Sequence, residues 1–569
     1  MTPGAMSTLL LLASCVPADD DARVDYRITL LDANQPRLAI EVEVPAAEGK
    51  PTEFGFGEEW GGVRDAGVDF ELSSATDENG AALDVEAVST GQWSVAGGEA
   101  RRVHARFEIG PTAHRGGWQG SEYYQPIVEP RLVHLLGGTS LPWPKHLEGQ
   151  LPRTLTLTWK GFNPSTWSLA SSHGIGPGPF VVNSTADAFR HAVFIAGDFT
   201  VFERTALGSS VRVAVWGNDW GSSPSDFADQ CSRIVEIERA FFEDRDRPPY
   251  LITLIPVGTN DGRSHSLGGT GLVNSFALFM QPGARLDQGP EDGMSVTWLL
   301  AHEMFHEWNG MTVRLAQPER RGYWFSEGFT DFYARRLLAR NGVLDDDAFI
   351  ASWNRRLAEY ATHPERSATA ARIEEAFWSN RNVQSLPYVR GDVIALKVDH
   401  AIRKSSQGQH SLDDLMRDLV RRSRQEQHEF SVNDLLAEIE HWSDAATAAE
   451  IRATALDGAR LELPEDVFGP EYRLLPADIP CFELGFDFER TRATKVFTGL
   501  VPDSAAARAG LREGDTVRGF SVAFGQVDTP VVVTVSDNSG SVREVKYLPQ
   551  GPPCQGWRLE KTRDVESEK

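Results

Sequence analysis

Between about Val24 and Thr205, apolar and polar residues alternate in short runs. LAIEVEV (38 to 44), RVHARFEI (102 to 109) and TLTLTW (154 to 159) put every second side chain on one face, and HAVFIAGDFTVFER (191 to 204) is β-rich. GG, NG and PG pairs punctuate these runs, so the region predicts short strands joined by turns. After a further strand at SVRVAVWG (210 to 217) the period changes: Phe227, Ile234, Ile237 and Phe241 recur at helical spacing. PYLITLIPVG reads as a buried strand, and LGGTGLVNSFALFM (267 to 280) as another, with glycines where a backbone must come close to something. Helical patterns follow near 346 to 361, 386 to 405, 411 to 425 and 431 to 442. The four prolines of ELPEDVFGPEYRLLPADIP predict a linker over 462 to 480.

A chain of 569 residues, 41% hydrophobic, has enough apolar surface for several cores. Its net charge of −25 excludes a nucleic-acid partner, because a phosphate-binding face needs a clustered cationic surplus. No apolar run reaches the roughly eighteen residues of a membrane span. MTPGAMSTLLLLASC (1 to 15) combines an apolar run with a small-residue processing site, which reads as an export signal. Leu12, Ala13, Ser14 and Cys15 resemble a bacterial lipobox, whose cysteine carries the lipid, although no Lys or Arg precedes the apolar run. Residues 1 to 23 are then signal and tether, and the protein a periplasmic or outer-membrane-attached one held to a membrane only through lipid; a merely apolar N-terminus, and with it a cytoplasmic protein, is the other reading.

The chemistry concentrates between Trp298 and Tyr333. His302 and His306 are four residues apart, so on a helix both imidazoles leave one face and can share one cation, with Glu303 beside it as a base. Glu327 opens a second helical segment twenty-one positions after His306 and offers a third ligand. Two imidazoles and a carboxylate leave a tetrahedral position open, the mark of a catalytic site for one Zn²⁺. Asp331, one turn after Glu327, can orient a ligating imidazole through its free N–H.

HEMFHEWN followed by WFSEGFTDFYA resembles the glycyl aminopeptidase family of zinc metallopeptidases, relatives of the aminopeptidase N group. The resemblance implies His302, His306 and Glu327 as zinc ligands and Glu303 as general base. In LPYVRGDVIALKVDHAIR, Tyr388 and Gly391 match the family's Tyr-x-Lys-Gly segment, with Arg390 where lysine is usual. It implies that the Tyr388 hydroxyl stabilises the oxyanion. From Cys481 the sequence resembles a PDZ domain: Leu484, Gly485 and Phe486 stand for the loop that cradles a peptide's C-terminal carboxylate, and residues 504 to 510 for a short helix flanking the groove. Cys481 and Cys554 bracket that unit, whose end strands are expected to be neighbours, so a disulfide fits.

The expected fold is multidomain α+β: an all-β domain (24 to 206), an α-rich, thermolysin-like catalytic domain (207 to 461), the linker and a PDZ domain (481 to 565). The expected activity is zinc-dependent hydrolysis of peptide or protein substrates. Two other readings stand beside it, a peptide-binding scaffold without turnover and a zinc hydrolase of a non-peptide substrate. One departure concerns specificity. The relatives carry Gly-Gly-x-Glu-His-x-x-Ser on a cleft-edge strand that binds substrate by strand addition, and in the wider group that glutamate binds the free α-amine. Aligned on Gly268, Gly269 and Ser275, this chain has Gly271 in place of Glu and Leu272 in place of His. Gly271 supplies no anion; Asp261, Glu122 or Glu129 could substitute from neighbouring segments, but nothing in the sequence places them there, so selection for a free amine is expected to be weak and internal cleavage is open.

Overall fold

A computed structural model describes residues 23–562 except 57–62, 64–65, 113–122, 150, 246, 259–266, 287–295, 427 and 538. Cys15, Glu122 and Asp261 lie outside the described residues. Two compact units emerge, residues 1–288 with 299–307, and residues 289–298 with 308–569.

The first unit is β-rich. A six-stranded sheet orders Phe180–Ser184, Arg153–Lys160, Arg23–Asp32, Arg37–Pro45, Arg102–Ile109 and Phe70–Asp77. The alternation read in 102–109 becomes a strict alternation of partly and fully buried side chains, and its inward set joins Tyr26, Phe54, Trp93 and Trp143 in one core. A later five-stranded sheet runs Phe199–Ala206, Ser209–Trp216, Tyr250–Pro256, Ser275–Met280, Leu267–Leu272. Its first two strands form a hairpin across residue 206, so the segment assigned above to the end of the β domain is an edge of this sheet. The helix Pro224–Phe241 begins with Ser223 accepting the Asp226 N–H and with proline in its first turn.

The stretch 267 to 280 differs from the single strand expected. It is an antiparallel pair, Leu267–Leu272 and Ser275–Met280, turning at Val273 and Asn274. Asn274 has φ of 48°, a conformation its short amide tolerates, and an apolar sequence pattern does not reveal such a turn. Leu267–Leu272 is the outermost strand of the sheet.

The second unit is α-rich, with helices Gly328–Arg340, Asp346–Thr362, Arg381–Ser405, Leu412–Glu426, Val432–Trp442 and Ala445–Asp457. The four expected from periodicity coincide with helices in this set. Arg381–Ser405 starts where the Asn380 side chain accepts the N–H groups of Asn382 and Val383. Where this helix packs on Gly328–Arg340, Asp331, Arg335 and Asp392 are buried, and the partly buried Arg356 reaches them from Asp346–Thr362. Arg335 holds both oxygens of Asp392 at 2.8 Å, and Arg356 bridges Asp392 (2.8 Å) and Asp331 (2.6 Å).

Where prolines predicted a linker, Tyr472–Ile479 is a strand paired antiparallel with Cys554–Lys561. Pro476 sits within this two-stranded ribbon, where a missing N–H on an edge costs little. The pairing puts Ile479 opposite Cys554 and thereby Cys481 beside it; the two cysteines form a disulfide with a Cα separation of 6.3 Å. The ribbon is tied to Asp346–Thr362: Asn354 exchanges two hydrogen bonds with the Leu559 backbone, and the Tyr360 and Trp557 rings stack at 6.3 Å. Between the ribbon's strands lie a three-stranded sheet (Thr516–Ser521, Val531–Ser536, Val542–Tyr547) and two short helices, Phe488–Thr494 and Ala505–Arg508. Among the described residues no helix is long and apolar enough to cross a membrane.

Candidate metal centre

The helix Val296–Phe305 carries His302 and Glu303, and His306 follows on the turn that continues it. The Nε2 atoms of His302 and His306 are 3.1 Å apart, with the rings edge to face. Two nitrogens bound tetrahedrally to one zinc would stand about 3.3 Å apart, so the spacing fits. A carboxylate oxygen of Glu327 completes a set of three ligand atoms lying within 4.8 Å of one another. Two nitrogens and one oxygen leave one tetrahedral position for water, which suits a catalytic zinc.

Glu327 links the short helix Tyr323–Ser326 to Gly328–Arg340, and helical bonding runs through it from the Tyr323 carbonyl to the Asp331 N–H. Two contacts fix this segment. Asn309, fully buried, donates to the carbonyls of Phe325 and Ser326 and lies 3.1 Å from the Thr330 hydroxyl. Gly328 lies against Gly391, so a Cβ on Gly328 would be 2.2 Å from the Gly391 Cα. Tyr388 is half-buried one turn before Gly391 and packs against a cluster of Ile373, Phe377 and Leu386. Arg390, in the place of the usual lysine, donates to the carbonyls of Arg366 and Ala368, and burial brings its guanidinium down to about 10. Asp331 binds Arg356, a pairing that sequence spacing did not indicate.

Glu303 is held from the edge strand: the Gly271 N–H donates to its Oε2 at 2.8 Å. A Cβ on Gly271 would come within 2.6 Å of the Glu303 carbonyl oxygen, which explains glycine there. At Gly268 it would meet the Tyr123 ring and at Gly269 the Phe276 ring. Tyr124 donates its hydroxyl to the Gly269 carbonyl at 2.7 Å. Burial, chiefly, raises that phenol, with the neighbouring Tyr123 and Glu303 adding to it. Of the acids that could stand in for the missing glutamate, Glu129 ends the strand Ile127–Glu129.

Two acidic residues near the ligands escaped the sequence reading. Glu238, on Pro224–Phe241, is 1% exposed; burial pushes its carboxyl well up, the charge of His302 opposing this in part. Glu307, next to His306, pairs with Arg247, which also contacts Asp244. Glu238 falls four residues after Ile234 and three before Phe241, on the apolar face of its helix, so the periodicity marks it as buried; Glu307 lies on a turn, where no local signal does. In the C-terminal region, Tyr547 donates to the Leu484 carbonyl and the Val501 N–H to that of Gly485, whose φ is 76°. Phe486 lies in the local core.

Residues 295–386 match the model of the M61 glycyl aminopeptidase family. No curated protein sequence matches the chain. Among solved structures, an aminopeptidase N family protein from Idiomarina loihiensis is similar over 95% of this chain and 98% of its own, with a TM-score of 0.68 at 18% identity. An M1 zinc metallopeptidase from Deinococcus radiodurans, in a mutant form bound to a Tyr-Ser-Ala substrate, is similar over 78% of this chain and 96% of its own, with a TM-score of 0.50 at 18% identity. These likenesses are of fold. The family match, lying on the stretch that supplies the donor set and Glu303, identifies the chain as a zinc metallopeptidase.

Proposed function

We propose that this enzyme hydrolyses peptide bonds with one zinc held by His302, His306 and Glu327, and that it does not require a free α-amine on its substrate. The observation that carries the second part is the contact at Gly271. Its backbone lies so close to Glu303 that a side chain there would displace the strand, so the carboxylate expected at this position cannot be accommodated. A cationic amine entering a partly desolvated cleft without an anionic partner is strongly unfavourable.

Zinc, when bound, supplies Lewis acidity to the reacting carbonyl. Glu303 accepts a proton from the attacking water while the Gly271 N–H holds its Oε2, and that hydrogen bond orients the carboxylate for the transfer. The same carboxyl then gives the proton to the leaving amide nitrogen as the C–N bond breaks. Tyr388 donates its hydroxyl to the developing oxyanion, a task suited to a phenol that stays protonated at neutral pH. The loop Leu484 to Phe486 is assigned to a peptide C-terminus on its resemblance to a PDZ loop, a reading supported by the internal engagement of the Leu484 and Gly485 carbonyls. Export and lipidation at Cys15 complete the proposal and rest on the sequence alone.

The test compares kcat/KM for a peptide and its N-acetylated form. A ratio near one, or one favouring the blocked peptide, is expected. A preference of about 100-fold for the free amine, roughly 2.7 kcal/mol, would overturn the proposal. Absence of peptide turnover by zinc-loaded enzyme would favour instead a binding scaffold or a non-peptide substrate.

A further inference from the structure

The edge strand Leu267–Leu272 has two backbone groups already claimed by side chains. Alternate residues of an edge strand turn N–H and C=O away from the sheet. Gly269 and Gly271 have the same parity, and both point outward: the Gly269 carbonyl to the Tyr124 hydroxyl, the Gly271 N–H to Glu303. The two positions are about 6.8 Å apart along the strand. Gly271 is therefore the outward residue at the reacting bond, and Gly269 the next place where a strand-adding substrate would pair.

Tyr124 is built into this place. The Thr139 hydroxyl donates to the Tyr124 carbonyl at 2.6 Å. Its ring packs edge to face on Tyr123 at 4.7 Å, and both pack on Phe279, at 5.9 and 5.0 Å. Tyr123 in turn fills the space above Gly268. A phenol so held donates to the Gly269 carbonyl from a fixed position, and a substrate amide N–H arriving there meets an oxygen that already accepts one hydrogen bond and whose outward approach the hydroxyl takes up.

We infer that Tyr124 is a specificity-determining residue: by occupying the Gly269 carbonyl it shortens the backbone ladder that a bound peptide can form, so that residues beyond the one facing Gly271 add little affinity. This rests on the peptidase reading with strand addition given above. An extended peptide gains side-chain contacts at the Gly269 position but not the main-chain bond.

The experiment uses two N-acetylated peptides with the same scissile bond, one ending at the residue that faces Gly271 and one extended past Gly269. In wild-type enzyme, the ratio of KM for the short peptide to that for the long one is expected to be close to one. In Tyr124→Phe the freed carbonyl should raise this ratio about 2- to 10-fold, the range of a single net hydrogen bond. An ester replacing the amide whose N–H would face Gly269 should abolish the gain in the variant, a response that loosened packing would not produce. Dissociation constants of the same peptides on the Glu303→Gln background give the comparison without turnover. If wild-type enzyme cuts no peptide while these affinities still shift as stated, the peptidase reading fails and the role of Tyr124 survives. An unchanged ratio in Tyr124→Phe, or a gain that persists with the ester, overturns the role of Tyr124.

Discussion

Gly328 and Gly391 meet backbone to backbone: a Cβ on Gly391 would stand 2.8 Å from the Cα of Gly328 and 1.9 Å from the Trp324 carbonyl oxygen. Glu327, the proposed carboxylate ligand, is the residue before Gly328. Substituting Gly391→Ala forces the helices Gly328–Arg340 and Arg381–Ser405 apart. Overpacking of this kind costs about 1–3 kcal/mol, so an unfolding free energy lower by that amount is expected from denaturant titration, together with faster loss of zinc to a chelator. Stability and zinc retention both equal to wild type would show that the contact does not position Glu327.

Glu303 and Glu327 have separable tasks. Glu303→Gln should keep one zinc per chain and lower kcat by at least about 10²- to 10⁴-fold, the range of general acid–base catalysis. Glu327→Gln should lose zinc, and activity should return only at high added metal. Tyr388→Phe should lower kcat with little change in KM, because its hydrogen bond strengthens only in the transition state. Metal analysis beside steady-state kinetics checks all three, and a Glu303→Gln enzyme with full turnover would remove Glu303 as the base.

Asn309 clamps the segment that presents Glu327 by hydrogen bonds to Phe325, Ser326 and Thr330. Asn309→Ala leaves two carbonyls without this donor and should weaken zinc affinity about 10- to 100-fold, the effect typical of residues that orient a ligand. Competition with a calibrated chelator measures it.

His134 is fully buried, with Nε2 3.0 Å from the Thr253 hydroxyl, and burial lowers its imidazole to about 3. In the unfolded chain a histidine titrates near 6.5, so the folded state forgoes a proton that the unfolded state takes up. The associated stability is present above pH 6.5 and is lost as pH falls toward 3. Between pH 7 and 5 wild type should lose about 2 kcal/mol more than His134→Gln, read from urea unfolding at each pH. Parallel losses in the two proteins would show that His134 is not the buried base responsible.

The sequence by itself determined what is local. The four-residue spacing of His302 and His306 sets two imidazoles on one helical face whatever surrounds them, and periodicities of two and 3.6 located the strands of the first unit and the helices of the second. Glu327 was legible because its segment follows at a length that one loop can span. Tertiary structure decided the rest, because those relationships depend on strand register and helix crossings between distant segments. Nothing near Gly271 announces that its N–H binds Glu303, nothing near Tyr124 announces Gly269, and the turn at Asn274 that sets both is invisible in an apolar run. Likewise Pro476 reads locally as linker but lies in a strand, because its partner, Cys554–Lys561, is some eighty residues away and is fastened to the helix Asp346–Thr362.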